Sequence, residues 1–144
     1  MADLSAPRLL EFQGEQEELT VKLTASVTYY KGGLVVLKPT TGYAAKPTDA
    51  ANEEAVGVLT GVYQDGIRDD AYAPGAVNVN GVVKRGRVWL PVSGAAQTDV
   101  GVMHYAADDQ TMTKTAGSKT VAYRALAFKT GFLLFDLRNP DRIA

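Results

Sequence analysis

The sequence predicts an all-β fold, either a small antiparallel β-barrel or a β-sandwich, with an extended N-terminal arm and at most one short helix. Several short segments alternate apolar and polar residues or are continuously apolar, and turn-forming Gly, Asn and Asp residues separate them at close spacing. No segment carries the repeat of a long amphipathic helix. The 144 residues, 46% of them hydrophobic, are enough for one domain with its own core.

We divide the chain into an N-terminal arm at residues 1–18, a single β domain at residues 19–138 and a C-terminal tail at residues 139–144. The arm carries apolar residues at Leu9, Leu10 and Phe12, followed by a run rich in glutamate. Two interpretations stay open, because the arm is either a loosely packed, frayed terminus or a segment that docks its apolar residues onto a neighbouring subunit. Its first residues lack the pattern of a secretory signal.

Residues 77–92 are expected to organise the domain as a β-hairpin. Asn80 and Gly81 predict the turn, because both residues tolerate the positive φ that a type I′ turn requires. Gly86 predicts a bulge or a close backbone approach, and Pro91 marks the place where the strand reaches a sheet edge or leaves the sheet.

The strand that follows this turn is predicted to have two different faces. Successive side chains of a strand point to opposite sides. One face therefore carries Val88, Leu90 and Val92, and the other carries Arg87, Trp89 and Pro91. The apolar face is expected to pack on the core.

The remaining strands are predicted from alternation and from short apolar runs. In the first half of the chain they are residues 19–28, with a polar face rich in Thr, residues 34–37, covered on both sides, and residues 55–64. An exposed loop at residues 38–54 contains a brief strand at 43–45. In the second half they are a hairpin of residues 103–106 with 112–115, a strand at 121–128, and a strand at 132–137 that is covered on both sides. Thr98 or Asp99 is placed to cap one short helical turn.

The sequence offers little for catalysis or for a cofactor. Cysteine is absent, which excludes disulfides, thiol catalysis and Cys-ligated zinc. The single histidine, His104, falls in a probable strand and is interpreted as a packing residue that is satisfied or half exposed. Three adjacent carboxylate pairs, Glu53 with Glu54, Asp69 with Asp70 and Asp108 with Asp109, are predicted to be solvated turn residues. We therefore expect no catalytic residue, no metal, no cofactor and no enzyme activity.

The charge distribution narrows the classes of partner. The formal net charge is -1, and basic residues are mixed with acidic ones along most of the chain. Nucleic acid and anionic membranes are recognised by clustered basic surfaces, so neither is an expected partner. No segment is long and apolar enough to span a bilayer as a helix.

A basic and aromatic group formed by Lys84, Arg85, Arg87 and Trp89 is the best candidate for a binding surface. Trp and Arg are enriched at protein interfaces. The alternative is that Trp89 covers one end of the barrel with Arg87 stacked over it. The predicted interface consists of two groups of residues, one from the arm and one from this strand: Leu9, Leu10, Phe12, Arg85, Arg87 and Trp89.

The order of several apolar and Gly-based segments resembles the capsid-cement, or head-decoration, proteins of tailed bacteriophages. The likeness lies in residues 30–37, 55–59, 85–92, 125–128 and 131–137. The resemblance implies a β-rich structural protein without catalytic residues, made in the bacterial host cytoplasm, that binds the outside of an assembled virion head. Its implied partners are the major capsid protein and further copies of itself, with a trimer favoured and a dimer possible.

Two other functions remain open from the sequence. One is a structural β-module of a phage tail or baseplate, and the other is a glycan-binding module on the virion surface. The long loop at residues 38–54 and the acidic arm have no counterpart in the resemblance. The surface that contacts the capsid is therefore not assigned by it.

Overall fold

The computed structural model describes residues 3–142, and this part of the chain is almost entirely β-structure, which confirms the predicted all-β class. Two residues at each end, in the predicted arm and the predicted tail, lie outside the described range. The strands are β1 (Phe12–Leu23), β2 (Tyr29–Tyr30), β3 (Leu34–Leu37), β4 (Ala44–Ala45), β5 (Glu54–Tyr63), β6 (Ala71–Tyr72), β7 (Val79–Pro91), β8 (Met103–Ala106), β9 (Met112–Thr113), β10 (Val121–Arg124), β11 (Ala127–Lys129), β12 (Phe132–Asp136) and β13 (Asp141–Arg142).

The main sheet is ring-like. Strand β7 pairs with β1 and β5, β5 pairs with β3, and β3 pairs with β4, all antiparallel. A single parallel pair, Leu23 with Ala44, joins β4 back to β1. The C-terminal part of β7 also pairs with β12, which continues the sheet to β11. A second sheet has the order β13-β10-β8-β9, and β2 pairs with β6 separately.

Two apolar clusters form the core. One contains Leu23, Leu59 and Val83 from strands of the ring. The other, with Leu90 and Phe135 among its members, joins the main sheet to the second sheet. Strands β3 and β5 contribute to both clusters, so they are covered on both faces. This confirms the prediction for residues 34–37, except that Leu37 is exposed.

The predicted hairpin turn at Asn80 and Gly81 is wrong, because both residues lie inside the continuous strand β7. Gly81 pairs with Val21 on one side and with Tyr63 on the other. A Cβ at Gly81 would stand 2.8 Å from Cδ1 of Leu23. The glycine therefore provides room for packing across the ring, and pairing on both sides overrides the local turn preference.

The predicted irregularity at Gly86 is confirmed. The β1–β7 register shifts between Gln13 and Gln16, and Gly86, with φ of 147°, lies at the shift. A Cβ on Gly86 would come within 2.7 Å of the carbonyl oxygen of Glu15. The extra residues of β1 thus bulge towards a position that only glycine leaves free.

Strand β1 differs from its predicted position. It begins at Phe12 and ends at Leu23, whereas alternation predicted a strand over residues 19–28. The chain leaves the strand direction before Ser26, which has φ of 65°. The strand therefore extends into the range that the sequence assigned to the arm, over residues that have no apolar alternation.

The single strand predicted over residues 121–128 is wrong, because the chain leaves β10 of the second sheet at Arg124 and begins β11 of the main sheet at Ala127. The predicted hairpin at Asp108 and the short strand in the loop are confirmed. Strands β8 and β9 form the hairpin around Asp108, and the short strand β4 lies in the predicted loop. Two short 3-10 turns are present, Gln64–Gly66 and Gln97–Asp99. The Asp99 carboxylate accepts the amide of Ala96 at 3.0 Å in the second of them. No helix within residues 3–142 has the length and hydropathy needed to cross a membrane.

Candidate protein interface

The N-terminal segment before β1 is held on the body of its own chain by Arg8. The Arg8 guanidinium donates to three backbone carbonyls, those of Gly32 at 2.8 Å, Gln110 at 2.8 Å and Asp109 at 3.1 Å. The Arg8 amide also donates to the carbonyl of Lys31 at 2.9 Å. Burial lowers the pKa of Arg8 from its ordinary value, while the nearby carboxylates of Asp109 and Asp108 oppose this effect. A guanidinium that donates several charge-assisted hydrogen bonds holds the segment strongly.

Asp109 forms the second half of this fastening, which we call the arm clasp: Arg8 and Asp109 with their direct partners. The Asp109 carboxylate accepts the amide of Leu4 at 2.6 Å and lies 3.6 Å from Nζ of Lys46. Its own amide donates to Asp3 at 3.4 Å. Burial raises the pKa of Asp109 from its ordinary value, and the hydrogen bond from Leu4 and the charge of Lys46 partly offset that rise.

The prediction that Asp108 and Asp109 are solvated turn residues is half wrong. They do lie at the tip of the β8–β9 hairpin, and Asp108 accepts the amides of Gln110 and Thr111, each at 2.9 Å. Both side chains are nevertheless buried. The reason is that the N-terminal segment covers the hairpin tip, which no local pattern in the sequence indicates.

Three carboxylates meet at the arm clasp. One oxygen from each of Asp3, Asp108 and Asp109 lies within 4.8 Å of the others. Such a group has the donors of a site for a hard cation. Lys46 and Arg8 already supply positive charge next to it. The arrangement is therefore accounted for as an internal ionic contact between the arm and the body.

The three predicted arm residues have different environments. Leu9 is 83% exposed, whereas Leu10 and Phe12 are half buried and pack against the core cluster that joins the two sheets. A groove of about 290 Å³ runs beside them, lined also by Lys31, Thr60 and Lys84 among others. Leu9 is thus the arm residue that is free to contact another molecule.

The three predicted residues of β7 lie along one side of the strand. Arg85 is half buried, with its Nε 3.5 Å from Oε1 of Glu17. Arg87 is exposed, as the two-face prediction requires. Trp89 is half buried, and the cation over its ring is Lys129 at 4.7 Å, not Arg87.

Lys129 links the tryptophan to the N-terminal segment. Its Nζ lies 2.6 Å from Oε1 of Glu11, while the amide of Trp89 donates to the carbonyl of Glu11 at 2.9 Å. Trp89 is therefore partly covered by its own chain. The structure brings Phe12, Arg87 and Trp89 onto neighbouring positions of the β1–β7 pair, because Phe12 pairs with Val88.

The feature that the sequence analysis missed is the open edge of β1. Residues 16–22, and Gln13 beyond the bulge, pair with β7 on one side only, and the other side meets no strand of the described chain until Leu23 reaches Ala44. Residues 13–20 are all exposed. The signal for it is the acidic run containing Glu15, Glu17 and Glu18, since exposed edge strands commonly carry charges.

His104 and the other carboxylate pairs have structural roles. The His104 ring is fully buried, with Nδ1 2.9 Å from the carbonyl oxygen of Val102 and the ring edge-to-face with Phe135. The packing role on a strand is as predicted, but the ring is neither half exposed nor fully satisfied, because its Nε2 is buried with no hydrogen-bond partner among the described residues. Glu53 is buried in a salt bridge with Lys38, which the solvated-turn prediction did not anticipate, whereas Asp69 and Asp70 are exposed as predicted.

Comparison with solved structures finds a similar fold in a chain of "The capsid of Myoviridae Phage XM1". The TM-score is 0.52 at 12% sequence identity, and the match covers 95% of this chain and 91% of that chain. At this identity the likeness concerns the fold alone, so the chain has a fold related to that of a phage capsid chain. No model of a known protein family matches the sequence, and no curated protein matches it.

Proposed function

We propose that this chain is a bacteriophage head-decoration, or capsid-cement, protein that binds the outside of the assembled capsid and stabilises it against the pressure of packaged DNA. The observation that carries the proposal is the similarity of fold to a chain of the phage XM1 capsid over 95% of this chain. The segments that resemble cement proteins in the sequence point to the same class. Both observations support a structural role without catalysis.

The surface of the molecule supports a role in assembly. Strand β1 offers an open edge, Leu9 projects from a fastened arm, and Arg87 is exposed beside the half-buried ring of Trp89. These elements adjoin one another, because β1 pairs with β7 and the arm leads directly into β1. We assign the predicted interface residues Leu9, Leu10, Phe12, Arg85, Arg87 and Trp89 to this region, with Leu10 and Phe12 supporting it from beneath.

The physical mechanism is linkage between binding and lattice stability. A protein that binds the intact capsid but not the separated subunits stabilises the capsid by RT ln(1 + [L]/Kd) for each site. A head has many equivalent sites, so a modest gain at each site adds up to a large resistance to rupture. The partners are the major capsid protein and further copies of this chain, and we propose a trimer on the capsid exterior.

The test uses heads that lack this protein, purified from the virus that encodes it. The heads are heated with and without added protein, and release of DNA is followed by a dye. We expect the rupture temperature to rise with protein concentration and then to saturate. Equal rupture temperatures at saturating protein would refute the cement function.

Electron microscopy of the same mixtures separates the remaining alternatives. Density on the head surface supports decoration, whereas binding confined to tails or baseplates would favour the tail module. Light scattering of the free protein gives the number of copies in the assembly. A glycan array that captures the protein, together with no binding to heads, would favour the glycan-binding alternative.

A further inference from the structure

We propose that the outer edge of β1, over residues 13–22, accepts an extended basic segment of the major capsid subunit as an added β-strand. This inference rests on the proposed function and names the chemistry of its partner segment. Main-chain hydrogen bonds would supply affinity, and alternate side chains would supply specificity, as in other cases of strand addition.

The first support is the length of the open edge. Eight of residues 13–22 pair with β7, all except Gly14 and Glu15 in the bulge, and within the described chain no strand lies on the other side of this range. The backbone groups of that side therefore point to solvent. At about 3.3 Å per residue the regular part of the edge, residues 16–22, is about 23 Å long. Natural proteins keep exposed edges short, cover them, or protect them with charges and bulges, and this edge carries acidic side chains and a bulge between Gln13 and Gln16. The length of the uncovered run beyond the bulge is what makes it a candidate site for a partner.

The second support is the charge of the strand. Glu15, Glu17 and Glu18 lie on this edge, and only Glu17 makes a salt bridge among the described residues, with Arg85. The inner partner β7 places Arg85 opposite Glu17 and Lys84 opposite Glu18. The molecule thus already pairs β1 with a basic strand, and a second basic strand on the outer side would complement the carboxylates left unpaired.

A second copy of the same edge is a poorer fit. If two β1 strands paired antiparallel along all of residues 13–22, Glu17 of each copy would stand opposite Glu18 of the other copy. The centre of the contact would then hold two pairs of like charges. Directly opposite like charges destabilise a strand pair. Strand β7 of a second copy is occupied on both of its sides, by β1 and by β5 with β12. Pairing along the full length of the edge therefore favours a different chain as the partner, and a free dimer paired in a shifted register is an outcome that the test must exclude.

The test uses a ten-residue peptide that alternates lysine with threonine, added to the whole protein and followed by calorimetry. Hydrogen exchange locates the contact, and we expect new amide protection within residues 13–22. A peptide that alternates glutamate with threonine should not bind. The lysine peptide with N-methyl groups at alternate residues should also fail, because it cannot form the ladder.

Two variants test the charge. The double variant Glu15→Gln with Glu18→Gln leaves the Glu17–Arg85 contact in place and should weaken binding of the lysine peptide by about tenfold. The control is Asp65→Asn with Asp69→Asn, which removes two exposed acids away from the edge and should leave peptide binding unchanged. Thermal melts of both proteins establish that each is folded.

Other outcomes would overturn the inference. These are equal binding of the acidic peptide, protection outside β1, no binding of the lysine peptide, or a free dimer with β1 already protected. The heads provide a separate readout. If wild-type protein and the Glu15→Gln, Glu18→Gln variant raise the rupture temperature equally, the edge proposal fails and the cement function stands. If wild-type protein does not bind heads, the cement function itself fails.

Discussion

Arg8 and Gly32 hold each other in place. The Nε of Arg8 donates to the carbonyl of Gly32 at 2.8 Å, and the carbonyl oxygen of Arg8 occupies the space that a Cβ on Gly32 would need. Gly32 also has φ of 84°, a conformation that favours glycine. The arm and the turn before β3 are therefore packed backbone to backbone.

Replacing Gly32 with alanine should release the arm. The comparison is Gly42→Ala, because Gly42 has φ of 76° and nothing within 4 Å of its Cβ position. Gly42→Ala should cost about 1 kcal/mol, from the left-handed conformation alone. Gly32→Ala should cost about 1–3 kcal/mol more, because the new methyl group overlaps the backbone of Arg8. Urea denaturation of both variants measures the difference, and equal losses would show that the contact is loose.

Removing the Arg8 side chain should detach the same segment. Arg8→Ala should lower stability by about 2 kcal/mol, since charged hydrogen bonds to three carbonyls are lost. Arg8→Lys should recover only part of this, because one ammonium group cannot span three acceptors. Hydrogen exchange at Leu4 and Arg8 should rise sharply in both variants. Arg68→Ala, which alters an exposed side chain, is the control.

A different result for Arg8→Ala would change the account of the arm. If the amides of Leu4 and Arg8 stay protected, the segment is held by apolar contacts of Leu10 and Phe12 rather than by the arm clasp. Exchange that rises while the stability of the β domain is unchanged would show that the segment opens independently.

The strand faces were predictable from the sequence because they depend on a period of two. Val88 and Leu90 are fully buried and Arg87 is exposed, as alternation requires. The same rule fails for the N-terminal half of β1, since residues 13–18 contain no apolar residue to alternate. That segment is a strand because β7 offers a complementary basic partner, which is a property of the folded sheet.

Contacts between distant parts of the chain were not predictable from local patterns. Asn80 and Gly81 carry a strong turn signal, yet pairing of β7 with strands on both sides keeps them extended. The arm clasp brings Arg8 to Asp109, and neither residue has a neighbour in sequence that indicates the other. The interface residues of the arm and of β7 could be proposed from local chemistry, and their use in binding stays a prediction.

Two buried tyrosines should respond oppositely to loss of the hydroxyl group. Tyr29 donates to the carbonyl of Thr24 at 3.0 Å, whereas the Tyr63 hydroxyl is buried with no hydrogen-bond partner among the described residues. Tyr29→Phe should therefore cost about 1 kcal/mol, and Tyr63→Phe should be neutral or stabilising. Urea denaturation measures both, and a loss for Tyr63→Phe equal to that for Tyr29→Phe would contradict the prediction.

The same tyrosines should ionise late in an alkaline titration. Burial raises the pKa of Tyr29 and of Tyr63 to about 12, from an ordinary value of 10.0. An acid whose pKa is raised by folding loses protons first in the unfolded chain, so stability should fall as the pH rises past 10.0. The absorbance of tyrosinate at about 295 nm follows the titration. Tyr29 and Tyr63 should titrate above the ordinary tyrosine range, and Tyr63→Phe should remove one late-titrating group.

Asp136 at the end of β12 should govern part of the response to acid. Burial by itself would raise the pKa of its carboxyl group, but hydrogen bonds from the amide of Arg138 at 3.0 Å and from its Nε at 3.2 Å lower the pKa overall. Asn139 adds a further donor at 2.8 Å. Asp136 also lies opposite Arg87 of β7 in the strand register, next to the proposed contact surface.

Because folding lowers the pKa of Asp136, the unfolded chain takes up the proton first as the pH falls. The stabilising contribution is therefore complete well above the ordinary value of 3.8 and is lost as the pH drops past it. Asp136→Asn should cost about 1 kcal/mol at neutral pH and should flatten the fall in stability below pH about 4. Asn139→Ala, which keeps the carboxylate and its Arg138 contacts, should lower stability but retain most of that slope. The test is to measure the urea midpoint of each protein across the acid range. If the midpoint of Asp136→Asn falls with pH as steeply as that of the wild-type protein, another carboxylate causes the acid sensitivity.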